Sequence, residues 1–218
     1  FNGKYRKLGS FSASIDFYHN NWKLGGVISP FHHTNRIPLD DPNFPIKLPI
    51  IPQEFEIYPI EKNPLEYGIF IEYSHNYGDI RLSTFHGYDR IFNLTGINDF
   101  TQNEGSSGHK VYILYGYRKT RMIGLGATVL LGDLVMRGDY ALFKTKDKNK
   151  SVYRDNPDPV LGNIYNYLSY QYAFSEEANY YQMTLQFEYG LPYDILMIGQ
   201  FFSYDILDYT SNDFPIDK

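Results

Sequence analysis

Most groupings of chemically capable side chains in this sequence fail on spacing. Gly124-Leu-Gly126 has the opening of a dinucleotide-binding turn, but no third glycine comes at the required place and no helical pattern follows. His32 and His33, with Asp40, Asp41, Glu54 and Glu56, offer donors suited to a metal. Adjacent histidines on a proline-rich stretch read more simply as solvated side chains, and no metal is expected. Asp155-Asn-Pro-Asp158 lacks the glycine and closing glutamate of a calcium loop and is read as a turn. Asp205 and Asp208 have no positional argument for acid–base work, and neither a nucleophile elbow, a zinc-peptidase helix nor a phosphate loop is present. An enzyme is therefore not expected, nor a cofactor. What remains are Asp16, Arg81, Arg118, Arg137, Asp139, Gln182, Gln186 and Glu188. Their chemistry is electrostatic: charged and amide groups lining a pore set which solutes pass. The alternative is that some pair across strands and brace a wall, Arg137 with a carboxylate being one example.

These groups sit in strand patterns, the longest of which is Lys110 to Asp147. Val111, Ile113, Tyr115 and Tyr117, then Ile123, Leu125, Ala127, Val129 and Leu131, make one apolar row. Leu134, Met136, Gly138, Tyr140 and Leu142 continue it past a turn at Gly132-Asp133, with Arg137 and Asp139 opposite. Alternation of period two puts each row on its own face of a sheet. The first row holds phase for about twenty residues, interrupted by Lys119 and Arg121. A soluble strand runs ~5–6 residues and a transmembrane strand ~9–11. Two long strands of a barrel hairpin are the expectation.

The same alternation recurs along the chain. Phe11, Ala13, Ile15 and Phe17 oppose Ser10, Ser12, Ser14 and Asp16, and a return strand follows at Trp22 to Ser29. Tyr67, Ile69, Ile71 and Tyr73 oppose Gly68, Phe70, Glu72 and Ser74, and Ile80 to Tyr88 comes back with Arg81 on the polar side. Tyr181, Met183, Leu185 and Phe187 oppose Gln182, Thr184, Gln186 and Glu188. Short turns near 20, 77 and 132 alternate with long loops at about 30–65, 89–109 and 148–162; the first loop holds eight of the twelve prolines and so cannot be a central strand. Outer-membrane barrels show this asymmetry of turns and loops. After residue 163 the count is ambiguous. Strands at 164–174, 180–189 and 195–207 would put the short turn near 192 on the long-loop side, unless Ser175-Glu176-Glu177 is a bulge within one longer strand.

Composition bounds the class. The 22 Tyr and 16 Phe suit strands that cross a membrane–water interface, with Tyr67, Tyr73, Tyr115, Tyr117, Tyr140, Tyr181 and Tyr189 as the interface candidates. Mean hydropathy is −0.41 and no run of 18 apolar residues exists, which excludes a spanning helix but not a barrel with a polar lumen. With no cysteine there is no disulfide framework, and a net charge of −5 gives no footprint for nucleic acid. Phe1 does not open a signal peptide and SNDFPIDK is not an aromatic-terminated last strand, so a trimmed or partial barrel is expected.

The segments MIGLGATVLLGDLVMRGDYALF (122–143) and YQMTLQFEYGLPYDILMIGQFF (181–202) resemble porin-like Gram-negative outer-membrane proteins, related in look to the alginate-export type. WKLGGVISPFHHTNRIP (22–38) and EYGIFIEYSHNYGDIRLSTFHGYD (66–89) extend the resemblance in order over most of the chain. It implies an all-β fold, an antiparallel up-and-down transmembrane β-barrel or part of a larger one, over residues 1–218 as a single domain. It implies a bacterial outer-membrane location, contact with outer-membrane lipid and lipopolysaccharide, and passive passage of small solutes. Two other functions fit the residues: a non-conducting barrel acting as a scaffold for other envelope proteins, and a soluble β-rich carbohydrate-binding protein using exposed tyrosines.

Overall fold

The computed structural model describes residues 11–34, 52–57, 60, 64–147, 155–193 and 195–212. These form eleven strands: β1 (Ala13–His19), β2 (Trp22–Ser29), β3 (Glu66–His75), β4 (Gly78–Tyr88), β5 (Asn93–Thr101), β6 (His109–Gly116), β7 (Lys119–Leu131), β8 (Leu134–Lys146), β9 (Tyr167–Ala173), β10 (Glu177–Leu191) and β11 (Ile195–Thr210). The fold is all-β, and every strand pairing is antiparallel. The strands make two sheets, an eight-stranded one in the order β1-β2-β3-β4-β7-β8-β10-β11 and a three-stranded one in the order β6-β5-β9. Among the described residues β1 and β11 pair on one side only, so the eight strands do not close on themselves.

The large sheet is four hairpins side by side. Their turns close on the pairs His19–Trp22, His75–Gly78, Leu131–Leu134 and Leu191–Ile195, and all four lie at one end of the sheet. Two-residue turns need left-handed backbone, and Asn20 (φ 50°) and Gly132 (φ 59°) supply it. Gly78 carries φ 139°, and a Cβ there would stand 1.9 Å from the Thr128 carbonyl oxygen. Only glycine lets β4 and β7 meet at that point. The strand ends that lead into the long connections lie at the opposite end, as the alternation of turns and loops predicts.

Two expectations are corrected and one open count is resolved. The row from Val111 to Leu131 is not one strand: it breaks at Tyr117-Arg118, with β6 in the small sheet and β7 in the large one. In β6 the buried side chains are the even ones, Tyr112 and Leu114, because that face packs on Phe100 of β5. Residues 89–109 are not a plain loop but hold β5, whose buried row includes Gly96 and Asn98 and so shows no apolar period. Finally, β9 belongs to the small sheet, so β10 follows β8 in the large one and the turn at 192 joins the other short turns. Of the loop at 30–65, the described part holds a single 3-10 turn at Glu54–Glu56 and a bridge from Ile57 to Tyr115.

Packing differs between the sheets. The buried apolar side chains among the described residues are Phe100, Tyr112 and Leu114, all in the small sheet, with Phe55, Tyr165 and Leu168 against them. The large sheet has no such core. Its odd-numbered row on β1, β3, β7 and β10 pairs with the even row on β2, β4 and β8 to make one apolar face.

Candidate functional site

The opposite face of the large sheet carries the charges, and register arranges them in rows. One row crosses the sheet as Lys23, Glu72, Arg81, Gly126, Asp139 and Thr184. The next row toward the turns reads Asp79, Thr128, Arg137, Gln186 and Gln200. Signs alternate along the first row, the arrangement in which directly opposite side chains attract. Arg81 Nε donates to Glu72 Oε2 at 2.7 Å, and Lys23 Nζ lies 3.0 Å from Asp16 Oδ2. Arg137 pairs with Glu188, which also accepts from Gln186 Nε2 at 2.6 Å. The Phe70 ring lies between Arg81, whose guanidinium carbon is 4.4 Å from the ring centre, and Lys23 at 5.2 Å. Stacking on an aromatic face holds both cations flat against the wall.

Between β4, β7 and β8 these rows enclose a shallow cleft of about 240 Å³ lined by Glu72, Asp79, Arg81, Thr128, Arg137 and Asp139. Gly126 opens it: a Cβ there would meet Asp139 Oδ1 at 2.9 Å. Asp79 and Asp139 have no cation within ion-pair distance among the described residues. The five carboxylates Asp16, Glu72, Asp79, Asp139 and Glu188 thus face three cations, Lys23, Arg81 and Arg137. The band has surplus negative charge, fixed by a frame of ion pairs.

A second polar layer lies on the same face at the connection end, where it is buried. Arg118 Nε donates to Asp147 Oδ1 at 3.0 Å and its other arm reaches Glu176. Asp147 Oδ2 accepts the Glu176 N–H at 2.9 Å, and Asp89 accepts from the Thr120 hydroxyl. Burial pushes the Asp147 carboxyl above its ordinary value, with Arg118 opposing. Burial also raises Asp89, against the Thr120 hydrogen bond and Arg118. Beside this network Glu66, 1% exposed, is held by Arg90 at 2.8 Å and His32 at 3.0 Å. This layer ties strand ends together, and its single guanidiniums are committed to carboxylates.

Seven of the eight charged and amide candidates, Asp16, Arg81, Arg137, Asp139, Gln182, Gln186 and Glu188, therefore share the charged face. Arg118 is separated from them: it lies outside β7, between Asp147 and Glu176. Of the aromatics, Tyr67, Tyr73, Tyr140, Tyr181 and Tyr189 lie on the apolar face. Tyr140 and Tyr181 stack at 5.6 Å inside the apolar field, while Tyr73 meets Trp22 at 4.7 Å near the turns. Tyr115 and Tyr117 do not join that face. Tyr115 is in the small sheet against Phe92, and Tyr117 packs on the His32 ring at 5.1 Å, because β6 leaves the large sheet. His32 is engaged by Glu66 and Arg90, and Asp40 and Asp41 of the proposed metal set lie outside the described residues.

The sequence reading missed Lys23, Glu72, Asp79, Phe70 and Thr128. The signal was available in the turns: once His75 and Gly78 close a hairpin, Glu72 must stand opposite Arg81. The chain matches no protein-family model, and comparison with curated proteins and with solved structures returns no significant match.

Proposed function

We propose that the large sheet is the wall of an outer-membrane β-barrel, a porin-like channel for passive passage of small solutes. The apolar face meets lipid and the charged face lines the lumen. The height and exposure of the apolar face carry this reading. Ile123–Leu131 on β7, Leu134–Leu142 on β8 and Tyr181–Tyr189 on β10 each give nine residues of apolar alternation. At ~3.3 Å per residue and a tilt of ~40°, that is roughly 23 Å, close to the ~25 Å apolar band of such barrels. Ile15 is 78% exposed, Leu24 49%, Ile69 50%, Leu82 51% and Ile123 59%, so no second layer covers them. In water a face of this size is an aggregation surface; in lipid it is the surface required. That argues against the soluble carbohydrate-binding alternative, which would cover it with another layer.

A lipid-exposed sheet can have no free edge, so strands other than these eight complete the cylinder past β1 and β11. The surplus of carboxylates in the charged band favours cationic solutes, since fixed charge in a narrow low-dielectric passage raises the local concentration of its counter-ion.

The test is extraction from membranes with neutral detergent, gel mobility with and without boiling, and planar-bilayer recording under a salt gradient. A boiling-dependent shift with cation-selective conductance supports the proposal. A shift with electrical silence favours the scaffold alternative. A chain that stays folded and monodisperse in plain buffer refutes the membrane reading.

A further inference from the structure

We propose that the lipid-facing side of the sheet holds, at its connection end, a site for the phosphate headgroup of an anionic membrane lipid. The inference rests on the reading of the apolar face as lipid-exposed. Register makes a block of cations there. Arg121 stands directly opposite His86 on β4 and Lys144 on β8, and two residues nearer the long connections Lys119 stands opposite Lys146. By alternation these side chains are on the apolar face, next after Ile123 and Leu142. Like charges directly opposite in a ladder destabilise it. One carboxylate answers them: Glu177 pairs with Lys144 and, at 3.2 Å, with Lys146. Lys119 and Arg121 have no carboxylate within ion-pair distance among the described residues. On the far side Asn179 stands between Lys144 and Asp208 and donates to Asp208 at 3.5 Å. A block built at this cost needs an external anion.

The shape says which anion. An open groove of about 700 Å³ takes in part of the block: His86, Arg121 and Lys144 line it together with the apolar Ile123, Leu142 and Leu207. A free phosphate has no use for the apolar part of that lining. A phosphorylated lipid uses both, its acyl chains lying along the apolar rows and its phosphate meeting Arg121 where those rows end. The block also falls at the level where headgroups lie, since the nine-residue apolar band stops at Ile123 and Leu142. Cationic side chains at that level attract anionic headgroups.

The experiment is native mass spectrometry of the chain in dodecyl maltoside, titrated with dioleoyl phosphatidic acid or dioleoyl phosphatidylcholine. Preferential retention of phosphatidic acid is expected. The double variant Lys119→Gln, Arg121→Gln should weaken it about twenty-five-fold, a factor of about five for each cation removed from an anionic surface. Lys23→Gln, on the other face near the turns, should leave it unchanged and serves as the folding control. Equal retention of the two lipids, or undiminished binding by the double variant, overturns the site while leaving the barrel standing. Competition by millimolar inorganic phosphate alone, with no requirement for acyl chains, also overturns it. A chain that needs no detergent overturns the membrane reading beneath it.

Discussion

Arg118→Met separates a structural cation from a pore-lining one. Arg118 bridges Asp147 and Glu176 with its own side chain 18% exposed, and the Asp147 side chain is only 3% exposed. Removing one partner of a buried pair costs ~3–5 kcal/mol, because the other charge stays buried without compensation. Asp147 keeps the Glu176 N–H at 2.9 Å, which offsets part of that, so a loss of about 3 kcal/mol at pH 7 is expected. The loss must depend on pH. Burial already raises the Asp147 carboxyl and Arg118 is what opposes it, so the variant raises it further. A folded-state value above the unfolded one, ~3.9, means that stability is fully present below the unfolded value and is lost as pH rises through the folded value. The deficit of the variant should therefore be largest near neutrality and shrink as pH falls toward the ordinary carboxylate range. Urea unfolding in micelles, followed by the fluorescence of the single tryptophan, Trp22, measures it. A deficit that is the same at pH 7 and pH 4.5, or a variant of unaltered stability with changed ion selectivity, would refute the assignment of Arg118 as a clamp.

Other expectations follow from the same geometry. Asp79→Asn with Asp139→Asn leaves three carboxylates facing three cations in the band, so the reversal potential under a salt gradient should move toward zero with the unfolding midpoint unchanged. Gly78→Ala places a methyl 1.9 Å from the Thr128 carbonyl oxygen at φ 139°; combined backbone strain and overpacking should cost about 2–5 kcal/mol, read as a lower urea midpoint. In the connection that precedes β9, Asp158 accepts from the N–H groups of Leu161 and Val160, which hold its carboxyl below the usual aspartate value. That contribution is present above the unfolded value of ~3.9 and lost as pH falls through the folded one, so amide protection at Val160 and Leu161 should drop in acid, and Asp158→Ala should remove the dependence.

How much of this was legible depends on what kept its period. The hairpins of the large sheet were readable because two-residue turns and strict alternation fix register together. With Leu131 and Leu134 closing a turn, Asp139 must oppose Gly126 and Arg137 must oppose Thr128. The small sheet was not readable for the opposite reason. Its central strand buries Gly96, Asn98 and Phe100 in one row, and a row with a glycine and an amide carries no apolar signal. The switch at Tyr117-Arg118 hid because β6 and β7 keep the same parity across it. Lys119 and Arg121, which interrupt the apolar row, were its only mark. What looked like noise in a twenty-residue strand is the point where the chain leaves one sheet and starts a row of cations.

The same two residues connect the fold to its surroundings. Had β6 and β7 been one strand, Lys119 and Arg121 would sit mid-span, where a cation facing lipid costs ~2–4 kcal/mol. The break moves them to the end of the nine-residue apolar band, where, in the proposed membrane setting, that cost would fall toward zero and headgroups would come within reach. On the other face the break lets Arg118 turn in to Asp147 and Glu176 rather than join the charged rows of the large sheet. A single interruption thus divides the basic positions 118, 119 and 121 between two roles: a clamp at Arg118 and, under the proposed reading, two cations at a lipid boundary. Under the proposed reading, the charge order along β7 follows from a wall whose height ends at Ile123, whereas a soluble sheet would have to cover that face.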